Sequence, residues 1–224
     1  MDIRFLGHAA FQLTDGDVSV LVDPFLTGNP QASVTADELN PTTILLTHGH
    51  ADHLGDTVAI AKRAGASVVA IVELANEIGA EGVDVSDPNL GGTVEFDWGW
   101  VRLVPAWHTS MTPKGTVNTP AGLVINFAGK TVYHLGDTSM FSDLQLVPRR
   151  DAIDVALVCI GGHYTMDRHD AVAAANLVAA HTVIPCHYDT FPTIETDAQA
   201  FKADVESSTS SEVVVLSPGE THTP

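Results

Sequence analysis

The stretch T-H-G-H-A-D-H at residues 47–53 gathers three of the chain's eleven histidines and one aspartate. Neutral imidazole nitrogens and carboxylate oxygens suit zinc, and also iron or manganese. Residues two apart in an extended chain point the same way, so His48 and His50 share a face. Asp52 and His53 follow a turn and offer a second set of ligand atoms nearby. One short loop cannot close two metal shells, so the cluster demands partners from distant sequence. Three candidates each sit just past an apolar run: His108, Asp137 in H-L-G-D-T, and His187 in I-P-C-H-Y-D-T.

Short apolar runs must place these side chains. Runs at 3–6, 11–13, 18–22, 44–47 and 68–72 read as strands, and so do 93–96 and 101–105. A second series follows at 122–127, 131–135, 154–159, 182–185 and 212–216. Helices are expected at 54–64, 73–80, 141–147, 168–180 and 196–206. The Thr, Pro and Gly-rich segment 109–120 reads as a mobile loop on the substrate side. The last residues are expected to fray. W-G-W at 98–100 reads as a hairpin turn with packed rings. The pattern implies one domain of two pseudo-equivalent halves, about 1–115 and 116–224. Its class is α/β, with two sheets face to face and helices outside.

Charge narrows the partners. The chain has 224 residues, with 28 Asp and Glu against 10 Lys and Arg, for a net charge of −18. That field repels polyanions, so neither nucleic acid nor an anionic membrane is expected as a partner. A small-molecule substrate is expected, anionic and drawn in by the metals. The acids are skewed toward aspartate, which raises adaptation to high intracellular salt as a second reading. No secretory h-region and no bilayer-length apolar run is present, so a cytoplasmic location is expected. Cys159 and Cys186 lie in apolar runs and read as buried thiols. Self-association is left open.

H-x-H-x-D-H, then an isolated His, G-D-T and a late His, resembles the metallo-β-lactamase superfamily of hydrolases. The likeness runs from Ile3 to the last strand. It implies a four-layer αββα sandwich with the site along one edge. It implies one metal on His48, His50 and His108 and a second on Asp52, His53 and His187, with Asp137 bridging. Asp23, in V-L-V-D-P-F, matches the family's early aspartate, which braces the histidine loop. True β-lactamases of this fold commonly carry cysteine where Asp137 stands, and flavin-dependent di-iron members carry glutamate where His50 stands. The words L-G-H-A-A-F, D-P-F-L-T-G-N-P and G-G-H-Y-T-M-D look most like a branch of small metal-dependent hydrolases. That branch is similar to the ascorbate-6-phosphate lactonases and, more distantly, to the phospholipase D acting on N-acyl phosphatidylethanolamine.

The resemblance implies two divalent ions, Zn2+ first, with Mn2+ or Fe2+ as alternatives. Such ions lower the pKa of bound water from ~15.7 toward ~7. The implied reaction is attack of that hydroxide on a small ester, lactone or phosphodiester-like bond, with Asp52 and Asp137 at the reacting centre. His163, between glycines and Tyr164, is a catalytic or leaving-group candidate. His8 and Tyr188 are candidates for the substrate side or for support of the ligands. His169 lies near a functional histidine of the phospholipase-like relatives, which the typical small relatives lack. Two other activities use the same scaffold. A nuclease needs a basic patch, and the only basic doublets are Lys62-Arg63 and Arg149-Arg150. A mononuclear iron sulfur-dioxygenase would leave Asp52 or His187 without metal.

Overall fold

The computed structural model describes residues 1–224. Fourteen strands form two seven-stranded sheets. The first series is β1 (Asp2–Gly7), β2 (Ala10–Asp15), β3 (Val18–Val22), β4 (Thr43–Leu45), β5 (Ser67–Val69) and β6 (Val85–Ser86). The second is β7 (Thr93–Phe96), β8 (Gly99–Pro105), β9 (Ala121–Phe127), β10 (Lys130–His134), β11 (Val155–Cys159), β12 (Thr182–Cys186) and β13 (Glu212–Val213). β14 (Thr221–His222) closes the chain. Helices are α1 (Ala51–Leu54), α2 (Thr57–Ala64), α3 (Val72–Gly79), α4 (Val147–Arg150), α5 (Arg168–Val178) and α6 (Ala198–Ser208).

The two sheets repeat one topology. One runs β14-β1-β2-β3-β4-β5-β6 and the other β7-β8-β9-β10-β11-β12-β13. In each, an antiparallel meander of four strands passes into parallel strands. Parallel strands need crossovers, and the helices supply all but the one from β3 to β4, which is a long loop with a single 3-10 turn at Ala36–Glu38. β11 is buried along its whole length, as a strand covered on both faces must be. Val155 and Leu157 face the first sheet's core, while Ala156 and Val158 pack in a second core with α5 and α6. Alternate residues thus serve two layers, and the whole is an α/β sandwich of four layers.

Several expectations change. The boundary between sheets falls between Ser86 and Thr93 rather than near 115, because β7 and β8 pair with β9. The chain end does not fray: Thr221 and His222 pair with Arg4 and Ile3 and cross back to the first sheet. β6 and β14 are each two residues long, too short for any periodicity to reveal them. The helix expected over 54–64 is two, broken at Gly55, which has φ 42°. A Cβ there would meet the Pro24 oxygen at 2.3 Å, so glycine lets α1 sit directly on the chain beside Asp23. Residues 98–100 do form a hairpin, with the Phe96 and Trp98 rings stacked at 4.5 Å. Both cysteines are free and buried, and burial pushes the Cys159 thiol up to about 12.

Candidate metal centre

Strand ends of both sheets deliver the polar residues, two pairs of them from equivalent strands. His8 follows β1, and His108 follows β8, its counterpart. Asp23 follows β3, and Asp137 follows β10. The H-G-H-A-D-H loop follows β4, whereas His187 follows β12, the counterpart of β5. His8, Asp23 and His187 all take positive φ, at 59°, 44° and 55°. Non-glycine residues rarely adopt this region, and it concentrates here where polar side chains turn off strand ends.

These side chains converge. Potential ligand atoms of His48, His50 and His108 lie within 4.8 Å of one another. So do those of His48, His53 and Asp137, and those of His8, Asp52, His53 and His187. The Asp137 carboxylate links the groups. Its oxygens lie 3.3 Å from His53 Nε2, 3.1 Å from His187 Nε2, 3.6 Å from His108 Nε2 and 3.9 Å from His48 Nε2. His48, His53, His187 and Asp137 are buried, whereas His50, Asp52 and His108 are half-buried and form the open side.

The cluster fits a cation. Nε2 of His53 and both ring nitrogens of His187 are buried without a hydrogen bond of acceptable geometry, despite their closeness to Asp137. Buried polar atoms are normally partnered, and orphans sharing one small space point to a missing electrophile. The donors are imidazole nitrogens and carboxylate oxygens only, which suits a divalent first-row metal.

A supporting layer fixes the donors. Asp23 Oδ2 is 2.8 Å from His53 Nδ1, and its oxygens accept from Thr47 N at 2.8 Å and Thr47 Oγ1 at 2.6 Å. Thr47 Oγ1 also lies 3.0 Å from His48 Nδ1. Gly49 N, between the first two histidines, donates to Ser110 Oγ at 3.0 Å and Asn118 Oδ1 at 3.1 Å. The 109–120 segment, expected as a mobile loop, therefore backs the histidine loop with its inner residues. Ser110, Thr112, Asn118 and Pro120 are buried, while Thr109, Met111, Pro113, Lys114, Gly115, Val117 and Thr119 are exposed.

Electrostatics follow from burial. Burial drives His48 well below its usual range, and it lowers His50 and His108 too. These imidazoles are neutral near pH 7, as ligands must be. His53 behaves oppositely. Burial would lower it, but Asp137 and Asp23 on either side hold it well above its usual value. Burial would raise Asp137, and the facing His187 and His53 instead hold it well below the carboxylate range.

Other expected residues lie elsewhere. His163 is exposed, with its ring edge-on to Tyr164 at 4.5 Å, and belongs to none of the converging groups. His169 is exposed in the first turn of α5. Tyr188 packs on the second core, and burial raises its phenol to about 12. His134 is buried and lies 3.2 Å from the Ala9 carbonyl. A separate cavity of about 210 Å3 lies beside Arg102, Tyr133 and Phe141, and no cluster residue lines it.

Known proteins resemble the chain along most of its length. A family described as "Beta-lactamase superfamily domain" matches residues 2–187. A UPF0173 metal-dependent hydrolase of Symbiobacterium thermophilum is 48% identical over 100% of both chains. One from Pelotomaculum thermopropionicum is 45% identical over 98% of each. Among solved structures, Igni18, a metallo hydrolase of the archaeon Ignicoccus hospitalis, is 37% identical with a TM-score of 0.90. The match covers 99% of this chain and 97% of that one.

Proposed function

The chain belongs to the beta-lactamase superfamily domain family and is a metal-dependent hydrolase, and on that premise we propose that it works with two divalent ions, zinc first, on a small ester, lactone or phosphodiester-like substrate. The observation that carries the two-ion reading is the Asp137 carboxylate, within 4 Å of histidines from both ligand groups. His48, His50 and His108 would hold one ion, Asp52, His53 and His187 the other, and Asp137 would touch both. Ions held there supply Lewis acidity and a hydroxide nucleophile near neutral pH.

The chain's own residues do the rest. Asp137, Asp52 and a hydroxide would together balance three of the ions' four charges, leaving about one excess positive charge for an oxygen that turns anionic during reaction. A carboxylate oxygen of Asp137 would accept the proton of the attacking water. Thr47 and Asp23 hold the histidine rings in register. Screening beyond about 8 Å confines this positive field to the cleft, which favours a compact substrate within so acidic a protein. No helix is long and apolar enough to cross a membrane. A cytoplasmic setting and a small anionic substrate complete the proposal. His163, exposed beside Tyr164, is proposed as a leaving-group residue at most.

The test is a metal analysis coupled to a substrate panel. About two zinc ions per chain, with chelator-sensitive hydrolysis of a lactone or small ester, is the expected result. Iron as sole metal, with oxygen consumed in the presence of a thiol persulfide, would replace this reading with sulfur dioxygenation.

A further inference from the structure

His8 stands beside the Asp52, His53 and His187 group, and its hydrogen bonds determine which of its nitrogens faces that group. It is wholly buried, with its ring 4.1 Å from the His187 ring. Its Nδ1 lies 2.8 Å from Thr190 Oγ1. Its Nε2 lies 3.3 Å from Asp52 Oδ2 and has no hydrogen-bond partner.

The tautomer follows from Gln31. The Gln31 side-chain amide sits between two backbone groups whose roles are fixed. Its Oε1 accepts from the His8 backbone N–H at 3.1 Å, and its Nε2 donates to the Tyr188 carbonyl at 3.1 Å. The reverse orientation would set donor against donor and acceptor against acceptor. With Oε1 so placed, the Thr190 hydroxyl, 2.9 Å away, must spend its only proton on it. Thr190 Oγ1 can then only accept from His8, so the His8 proton is on Nδ1. Nε2 is left with a bare lone pair aimed at a carboxylate oxygen. Two acceptors 3.3 Å apart repel unless an electrophile stands between or beside them.

The backbone is built to keep this arrangement. Gly7, at φ 113°, lets Gln31 approach: a Cβ there would meet the Gln31 carbonyl oxygen at 2.8 Å. The His8 carbonyl accepts from His187 N at 2.7 Å, tying the two rings to one frame.

We infer that His8 Nε2 is an additional metal ligand, making with Asp52, His53 and His187 a four-donor group for the second ion. This inference rests on the two-ion reading of the same site. It assigns Gln31 and Thr190 as positioning residues that act through His8. The second ion is then held from its buried side by His8, His53 and His187, and the half-buried His50, Asp52 and His108 leave the open side for substrate.

Zinc affinity measured by competition with a chromophoric chelator, and the visible spectrum of the cobalt-substituted protein, test it without reference to turnover. His8→Asn keeps a residue that tolerates positive φ but cannot reach the group. Thr190→Val removes the lock on the tautomer, and Thr190→Ser preserves it. Expected is one of two ions bound about 10–100-fold more weakly in His8→Asn and Thr190→Val. The cobalt spectrum should change in both, and Thr190→Ser should match the wild type. Two ions bound with wild-type affinity and spectrum in folded His8→Asn overturns this inference alone. A wild-type protein that takes up a single ion overturns it together with the two-ion reading.

Discussion

Nδ1 of His53 lies 2.8 Å from Oδ2 of Asp23, so the opposite nitrogen of that ring faces the cleft. Asp23 is wholly buried and accepts from three donors, an arrangement that favours its ionised form. Burial would raise it, but His53 beside it holds it below its usual value. Asp23→Asn puts an amide N–H against one of these donors. We expect zinc affinity to fall about 10–100-fold and the metal-free protein to lose about 1–3 kcal/mol. Chelator competition and urea melts check both. Unchanged affinity would mean that Asp23 does not set the His53 tautomer.

The histidines give the metal-free protein a stability maximum near pH 6.5. His8, His48, His50, His108 and His134 all have lowered pKa values, chiefly through burial. Below about 6.5 the unfolded chain takes up protons that the folded chain refuses, so stability falls with falling pH. His53 works in the other direction. Its raised value, set by Asp137 and Asp23 against burial, gives a contribution fully present below about 6.5 and lost as pH rises through the folded value. Each unmatched proton contributes a slope of about 1.4 kcal/mol per pH unit. A metal ion would take the place of the His53 proton, so zinc should abolish the alkaline decline. Calorimetry should also detect about one proton released on zinc uptake near pH 7. Thermal melts from pH 5 to 9, with and without zinc, give the comparison. Parallel profiles would sink it.

Gly136 joins the two sheets at the site. It has φ 67°, precedes Asp137, and a Cβ there would meet the Ala121 oxygen at 2.6 Å and Thr47 Cβ at 3.3 Å. Thr47 in turn holds Asp23 and His48. Gly136→Ala should therefore cost about 2–3 kcal/mol and shift Asp137 away from the histidines. Gly16→Ala, at φ 55° with nothing within 4 Å, is the control for backbone strain alone. Metal affinity should drop in the first variant and not in the second.

The sequence carried much of this fold because its strands are short apolar runs and the chemistry-bearing residues come directly after them. That position brings His48, His108, Asp137 and His187 to one edge of the sandwich, although 139 steps of chain separate the first from the last. The supporting residues left no such trace. Gln31 and Thr190 meet 159 positions apart, and Ser110 reaches Gly49 across 61. Nothing in the local pattern around Gln31 or Ser110 distinguishes it from a loop residue. His8 was legible only as a lone histidine after a strand, because its partners are set by the Gly7 and Gln31 approach. His163 lies apart from the cluster. Its glycine-rich setting resembles a site, yet the backbone turns the ring outward beside Tyr164.

His48 and Asp137 should fail differently when replaced by alanine. His48 has Nε2 3.1 Å from His50 Nδ1 and 3.9 Å from Asp137, so it serves mainly the open ligand group. Asp137 faces histidines of both groups. Losing His48 should empty one position and leave the His53 and His187 side able to bind, giving about one ion per chain. Losing Asp137 should weaken both ions, because the one carboxylate that balances charge between them is gone. Hydrolysis of model esters should drop more than about 100-fold in each, with far-UV circular dichroism unchanged. The diagnostic result is the metal count at a fixed free-zinc level, not the lost activity. Equal occupancy in the two variants would remove Asp137 from its place between the ions, and retained turnover in either would remove the metal mechanism itself.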